Sequence, residues 1–196
     1  MERDLVLVHV LSVITFEKQK DPQIRTIILQ EEGSDRALPI ETDAITGNAI
    51  LLEIRGEESP SVTIWDLAKE FFDAFGSVLS RVIITDADEK IFYAEVHINR
   101  EVFEDVRAAD AVALAVRCNA PIYAARELIE IASRRVEEKE GVIHLLVDSK
   151  PKQAKALPVS DLERLKEEQR KAIEEERYED AARLKKKIEA LGKNRK

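Results

Sequence analysis

A chain of 196 residues, 44% hydrophobic and 36% charged, can build one domain with its own core plus an appendage. Its 39 acidic residues outnumber 31 basic ones, and the surplus lies in the body: 160–196 holds 12 basic and 10 acidic residues, net +2, leaving 19 and 29, net −10, before residue 160. So acidic a body excludes a general phosphate-gripping surface, which needs clustered Lys and Arg, while leaving room for a local basic patch.

The opening Met1-Glu2-Arg3-Asp4 leads into an apolar run too short and too strand-like to span a bilayer, so neither a signal peptide nor a membrane segment is expected. Cys118 is the single cysteine, which rules out an internal disulfide and suits a reducing cytoplasm. His9, His97 and His144 fall in separate predicted strands without ligand spacing, so no zinc site is expected.

Val, Leu and Ile dominate 5–16, which reads as a long strand; Asp21-Pro22 marks a turn, and 24–29 returns as the second strand of a hairpin. A second turn over 31–35 leads to a short third strand, 36–40, where Pro39 points to a strand end or a sheet edge. Thr42 or Asp43 can cap a helix running to Arg55, with Ala44, Ile45, Ala49, Ile50, Leu51 and Leu52 as its apolar positions and Gly56 as its stop. Thr63 with Asp66 makes a variant capping box for the next helix, whose apolar stripe is Leu67, Phe71, Phe72 and Phe75, ended by Gly76.

Strands follow at 78–85 and 91–98 around a turn at 86–90, and a further strand is expected at 102–106. The chain is organised around 107–123. Ala111, Val112, Leu114, Ala115 and Val116 leave almost no polar face, so this helix should be buried on most sides. Asp105, Arg107 and Asp110 flank its start, Arg117 stands at its negative end, and Asn119 and Pro121 stop it. A helix over 125–139, with Leu128, Ile129, Ile131 and Ala132 inside, and a last strand over 142–147 complete an α+β body with a mixed sheet, 1–148.

Pro151 and Pro158 frame a linker, 149–159. Beyond it, 160–196 reads as a helical hairpin: Leu162, Leu165 and Ala172, then Tyr178, Ala181, Ile188 and Leu191, keep helical spacing about a reversal at Arg177-Tyr178. A hairpin this small has too few apolar positions to stand alone and needs a second copy or a partner to cover it.

With these segments placed, the body resembles the bifunctional nuclease domain family. The residues that carry the likeness are RALPI at 36–40, WDL at 65–67, RVIITDADEKIFYAEV at 81–96 and, most specifically, DVRAADAVALAVRCNAPIY at 105–123. Members usually have Pro-Ser where this chain has Ala108-Ala109, Thr-His-Asp where it has Ile64-Trp65-Asp66, and Gly then Glu in the early helix where it has Asp43 and Thr46. The tail, through AIEEERYEDAARLKKKIEAL at 172–191, resembles the UVR motif shared by the excision-repair subunits UvrB and UvrC and by some Clp-associated regulators.

The first resemblance implies a nuclease acting on DNA or RNA, with Asp66, Asp105, Arg107 and Asp110 as the matching candidates and Mg²⁺ or Mn²⁺ as the ion that converging carboxylates would hold. The same residues also read as helix-end charges, with Arg107 paired to one of the acids. The second resemblance implies protein–protein contact through 162–191. Two functions follow: a nuclease recruited to a repair or stress complex through its tail, or a catalytically weakened scaffold acting as an adaptor. Strand edges without obvious protection and the uncovered hairpin favour a homodimer.

Overall fold

β-Branched and aliphatic runs pair as their patterning predicts. β1 (Leu5–Ile14) and β2 (Ile24–Glu31) form the expected antiparallel hairpin, and β3 (Arg36–Asp43) pairs antiparallel with β2 from Ala37 to Asp43. This computed structural model describes residues 3–16, 21, 23–88, 91–139 and 142–146. The turn at Asp21-Pro22, the tip of the turn at 86–90, the linker and the tail hairpin therefore lie wholly or partly outside the described residues.

The remaining elements are α1 (Ala44–Arg55), α2 (Ile64–Phe75), β4 (Leu79–Asp88), β5 (Ile91–Ile98), β6 (Glu101–Arg107), α3 (Ala108–Cys118), β7 (Ile122–Ala125), α4 (Arg126–Ala132), β8 (Arg134–Lys139) and β9 (Val142–Leu146). Together they make an α+β body on one mixed sheet, in strand order β6-β5-β4-β7-β1-β2-β3-β8-β9. Among the described residues the β4–β7 pair is parallel and the other strand pairs are antiparallel. No helix among the described residues is long and apolar enough to cross a membrane.

The core forms where helices lie on the sheet. Ile27, Ile28 and Leu29 are consecutive and all fully buried, so β2 is covered on both faces. α1 packs on β1 and β2, and α3 packs on α1 and on β4 and β5. α3 is the buried helix expected from its composition: Ala108, Ala109, Ala111, Val112, Ala113 and Ala115 are all buried, their small side chains letting its backbone lie close to the strands. Its C-terminus ends on Asn119 in the left-handed conformation, φ 52°.

Three expectations need correction. The helix predicted over 125–139 stops at Ala132, and 134–139 is a strand paired with β3 and β9. Arg36 covers the helix end: its guanidinium donates to Ser133 Oγ at 3.0 Å, to the Ile129 carbonyl at 3.0 Å, which also accepts from Ser133 N–H, and to the Glu130 carbonyl at 3.3 Å. The turn placed at 86–90 begins later, since Asp86, Ala87 and Asp88 pair with Tyr93, Phe92 and Ile91. The third strand runs past Pro39 to Asp43, with β8 beside only Arg36 and Ala37; the proline sits where no strand among the described residues pairs with that side of β3.

Apolar positions on α1 and α2 do not all face inward. On α1 the buried residues are Thr46, Gly47 and Ile50, whereas Ile45 is exposed. Gly47 decides this: a Cβ there would stand 2.7 Å from Arg25 Cβ and 3.3 Å from Val13 Cγ1, so only glycine lets α1 come this close to β1 and β2. On α2 no residue is buried, and the stripe of Leu67, Phe71 and Phe75 faces solvent. α2 rests instead on α3 through its opposite side, where Trp65, Asp66 and Phe72 are half-buried.

Candidate functional site

Two arginines ten residues apart bracket α3, and each gathers carboxylates from neighbouring elements. Arg107 is the N-cap residue of α3. Its Nε donates to Asp110 Oδ2 at 2.8 Å and its Nη2 to Asp110 Oδ1 at 2.9 Å, a two-pronged pair within the first turn. The same Nη2 reaches Asp43 Oδ2 at 3.2 Å. Asp43 in turn caps α1, accepting from Thr46 N at 2.8 Å and from Thr46 Oγ1 at 2.9 Å. All three charged side chains are partly exposed, so a solute can reach them.

The electrostatics favour the charged forms of Asp43 and Arg107. Burial pushes the Asp43 carboxyl upward, but the hydrogen bonds from Thr46 and the charge of Arg107 outweigh it and hold the group below the ordinary carboxylate value. Hydrogen bonding to Asp110 raises Arg107 further above its already high value. Asp105 is close in sequence but not in the cluster. It is an exposed residue of β6 with φ 58°, inside the register shift that separates the Ala94–Val106 and Val96–Phe103 pairs. A bulge of this kind re-aims a strand, here toward the start of α3. Among the described residues Asp105 forms no ion pair within 4 Å.

Asp66 belongs to the other end of α3. Its Oδ2 accepts from Thr63 N at 2.6 Å and Thr63 Oγ1 at 2.7 Å, completing the capping box expected from sequence. Its Oδ1 lies 2.6 Å from Arg117 Nε, and Arg117 Nη1 donates to Glu53 Oε2 at 2.5 Å. The Nε–H points off the line to Asp66, so that contact is an ion pair without a hydrogen bond. Burial pushes the Asp66 carboxyl up, yet the Thr63 hydrogen bonds and the Arg117 charge hold it below its ordinary value. Arg117 forms part of the wall of a cleft of about 630 Å³ with Glu53, Trp65, Asp66, Glu70 and Ala113. Beside it, Cys118 is a half-buried thiol whose pKa is raised by burial.

The structure thus brings Arg107 and Asp110 together and adds Asp43. Asp66 stands about 15 Å away along the axis of α3, one helix length at 1.5 Å per residue. Among the described residues no group of three or more His, Cys, Asp or Glu side chains is placed to hold a metal ion. Asp43 and Asp110 share Arg107 as Glu53 and Asp66 share Arg117; of these, Asp43 and Asp110 would be the ones to hold Mg²⁺ or Mn²⁺, which take one or two carboxylates and complete their shell with water and substrate phosphate. From sequence, Asp43 was legible as a cap but not as a partner of Arg107, and Glu53 gave no signal. A clue did exist: Asp43 stands one helical turn before Thr46, so an acid at either position falls on the same side of the helix.

A single mixed sheet, two short helices laid beside a buried Ala-rich one, and arginine–carboxylate pairs at both ends of that helix define an α+β domain of the D-x-R-x-x-D type. The chain belongs to the bifunctional nuclease domain family, whose model matches residues 27–137. A second match, to the UvrB/uvrC motif, covers residues 161–194. Among curated relatives, Uncharacterized protein Rv1829 of Mycobacterium tuberculosis is 34% identical over 116 residues, 59% of this chain and 69% of the relative. Bifunctional nuclease 2 of Oryza sativa is 28% identical over 113 residues, 55% of this chain and 35% of the relative. Bifunctional nuclease 2 of Arabidopsis thaliana is 22% identical over 183 residues, 85% of this chain and 55% of the relative.

Proposed function

We propose that this protein is a phosphodiester-cleaving enzyme acting on DNA or RNA in the cytoplasm, with its reaction centre at Asp43, Arg107 and Asp110. The observation that carries the reading is the double pairing of Arg107, which sets two carboxylates around one guanidinium on a solvent-reachable surface. Arg107 supplies the planar donor pair that matches a phosphate, and a phosphate arriving there exchanges with the carboxylates for those N–H groups. Asp43 and Asp110 would then hold Mg²⁺ or Mn²⁺, which supplies charge neutralisation and an activated water when bound. Thr46 orients the Asp43 carboxylate through two hydrogen bonds.

Asp66 acts as a positioning residue in this reading: its carboxylate caps α2 and pairs with Arg117. Asp105 shapes the approach of β6 to α3. The motif at 161–194 serves protein–protein contact, in keeping with the need of so short a hairpin for a cover, and the working unit is a homodimer.

Cleavage of single- and double-stranded DNA and of RNA, with and without Mg²⁺ or Mn²⁺, tests the centre. Cation-dependent cleavage that falls at least about a hundredfold in Asp43→Asn and in Asp110→Asn is expected. Full activity in the double variant removes the assignment. An absence of cleavage under every condition favours the second reading, an adaptor scaffold, for which the specific observation is that the acids at the two ends of α3 do not meet.

A further inference from the structure

Helix α2 is amphipathic with its apolar side outward. Ile64, Leu67, Phe71 and Phe75 recur at intervals of three and four and so form one stripe. Ile64 is 66% exposed, Phe71 52% and Phe75 77%. The Phe71 and Phe75 rings stack at 6.2 Å between centroids, which fixes them as a ridge. Val62 and Val78, just beyond the two ends of the helix, are exposed as well. At about 150–250 Å² for a fully exposed aromatic side chain and somewhat less for an aliphatic one, these six residues present roughly 600–700 Å² of apolar surface. A typical monomer's largest apolar patch is about 300–600 Å².

We infer that this face of α2 is the contact through which two copies of the chain associate, antiparallel about a twofold axis near Phe71. Area is the first argument: one partner in a standard stable interface gives about 800 Å², close to what the stripe and its rim supply. Self-complementarity is the second. With Phe71 at the axis, Leu67 of each copy lies opposite Phe75 of the other, and Ile64 lies opposite the Val78 end, so every facing position is apolar. No charged residue interrupts the stripe. The charged residue on its flank is Glu70, and in an antiparallel pair like flanks meet, so the two Glu70 carboxylates oppose association modestly and salt relieves them. A basic partner helix seated on the same face would show the reverse salt dependence. The inference rests on the exposure of α2 and is independent of any nuclease activity.

The test is the solution mass of the full chain by light scattering across a concentration series, with a cysteine cross-link to locate the contact. Wild type is expected at twice the chain mass, tightening as salt is added. Phe71→Glu is expected to weaken association by about a hundredfold or more while leaving the far-ultraviolet circular dichroism spectrum in place, because the side chain touches solvent in the single copy. In a Cys118→Ser background, Phe71→Cys should form an interchain disulfide on mild oxidation, and Glu130→Cys, on α4, should not. A wild-type chain at single mass at every soluble concentration overturns the inference. So does a Phe71→Glu chain that stays at double mass without a Phe71→Cys cross-link, since the dimer contact would then lie elsewhere.

Discussion

Replacing Asp66 by Ala separates a structural role for this carboxylate from a chemical one. Asp66 accepts two hydrogen bonds from Thr63 and pairs with Arg117. Loss of the reciprocal half of a capping box costs about 1 kcal/mol. Loss of the ion pair adds about 0.5 kcal/mol, a small figure because Arg117 is partly exposed and keeps Glu53. The better helix propensity of Ala returns about 0.5 kcal/mol. The balance is a destabilisation of about 1 kcal/mol, or roughly 2–4 °C in melting temperature for a domain of this size. Asp66→Asn, which keeps an acceptor oxygen but no charge, should fall between Ala and wild type. The folded-state pKa of Asp66 is depressed, so its stabilisation is present above the unfolded value near 3.8 and is lost as pH falls through the lower folded value. Thermal melts should therefore show a constant gap between wild type and Asp66→Ala from about pH 5 to 8, closing below about pH 4. A variant that melts with wild type at pH 7 yet loses cleavage at least about a hundredfold would refute the argument and make Asp66 a chemical group.

Arg107→Ala should abolish cleavage while changing stability by less than about 1 kcal/mol, because its pairs are partly exposed; Arg107→Lys should restore stability but not rate, since a lysine cannot present two parallel donors. Melting and initial-rate measurements on both variants decide this. Gly47→Ala should destabilise despite a propensity gain of about 1 kcal/mol, because the new methyl meets Arg25 Cβ at 2.7 Å and overpacking costs about 1–3 kcal/mol; a raised denaturation midpoint would contradict the close approach of α1 to the sheet. Deleting 160–196 should remove co-purifying protein partners from a pull-down while leaving the melt of the body in place, and an unchanged partner set would contradict the recruitment role of the tail.

Local chemistry made much of this fold legible. Thr63 and Asp66 announce the start of α2, and Gly56 and Gly76 mark helix ends because left-handed backbone there favours glycine. The alternation of 91–98 gave β5 to the residue. What patterning could not supply was direction. The α2 stripe is as regular as that of any core helix, yet it faces out, because periodicity reports that a face is apolar and not what covers it. The break at Ser133 was hidden for a related reason: a distant residue, Arg36, takes the helix-end carbonyl. The site shows the same limit. Arg107 with Asp110 is a local pair three residues apart and could be read directly, whereas Asp43 with Arg107 and Asp66 with Arg117 exist only once the helices are assembled.

The two arginines of α3 also join it twice to α1: Arg107 reaches Asp43 at the start of that helix, and Arg117 reaches Glu53 near its end. The spacing is ten residues on both sides, so the helices run alongside like rails held by matched cross-ties. Sliding one past the other by a single turn would sever both ties at once. Each tie is partly exposed and worth at most about 1 kcal/mol, so the two mark the register of the helices while the buried apolar side chains between them supply most of the hold. A double-mutant cycle between Asp43 and Glu53, which share no partner, should accordingly be additive to within about 0.5 kcal/mol.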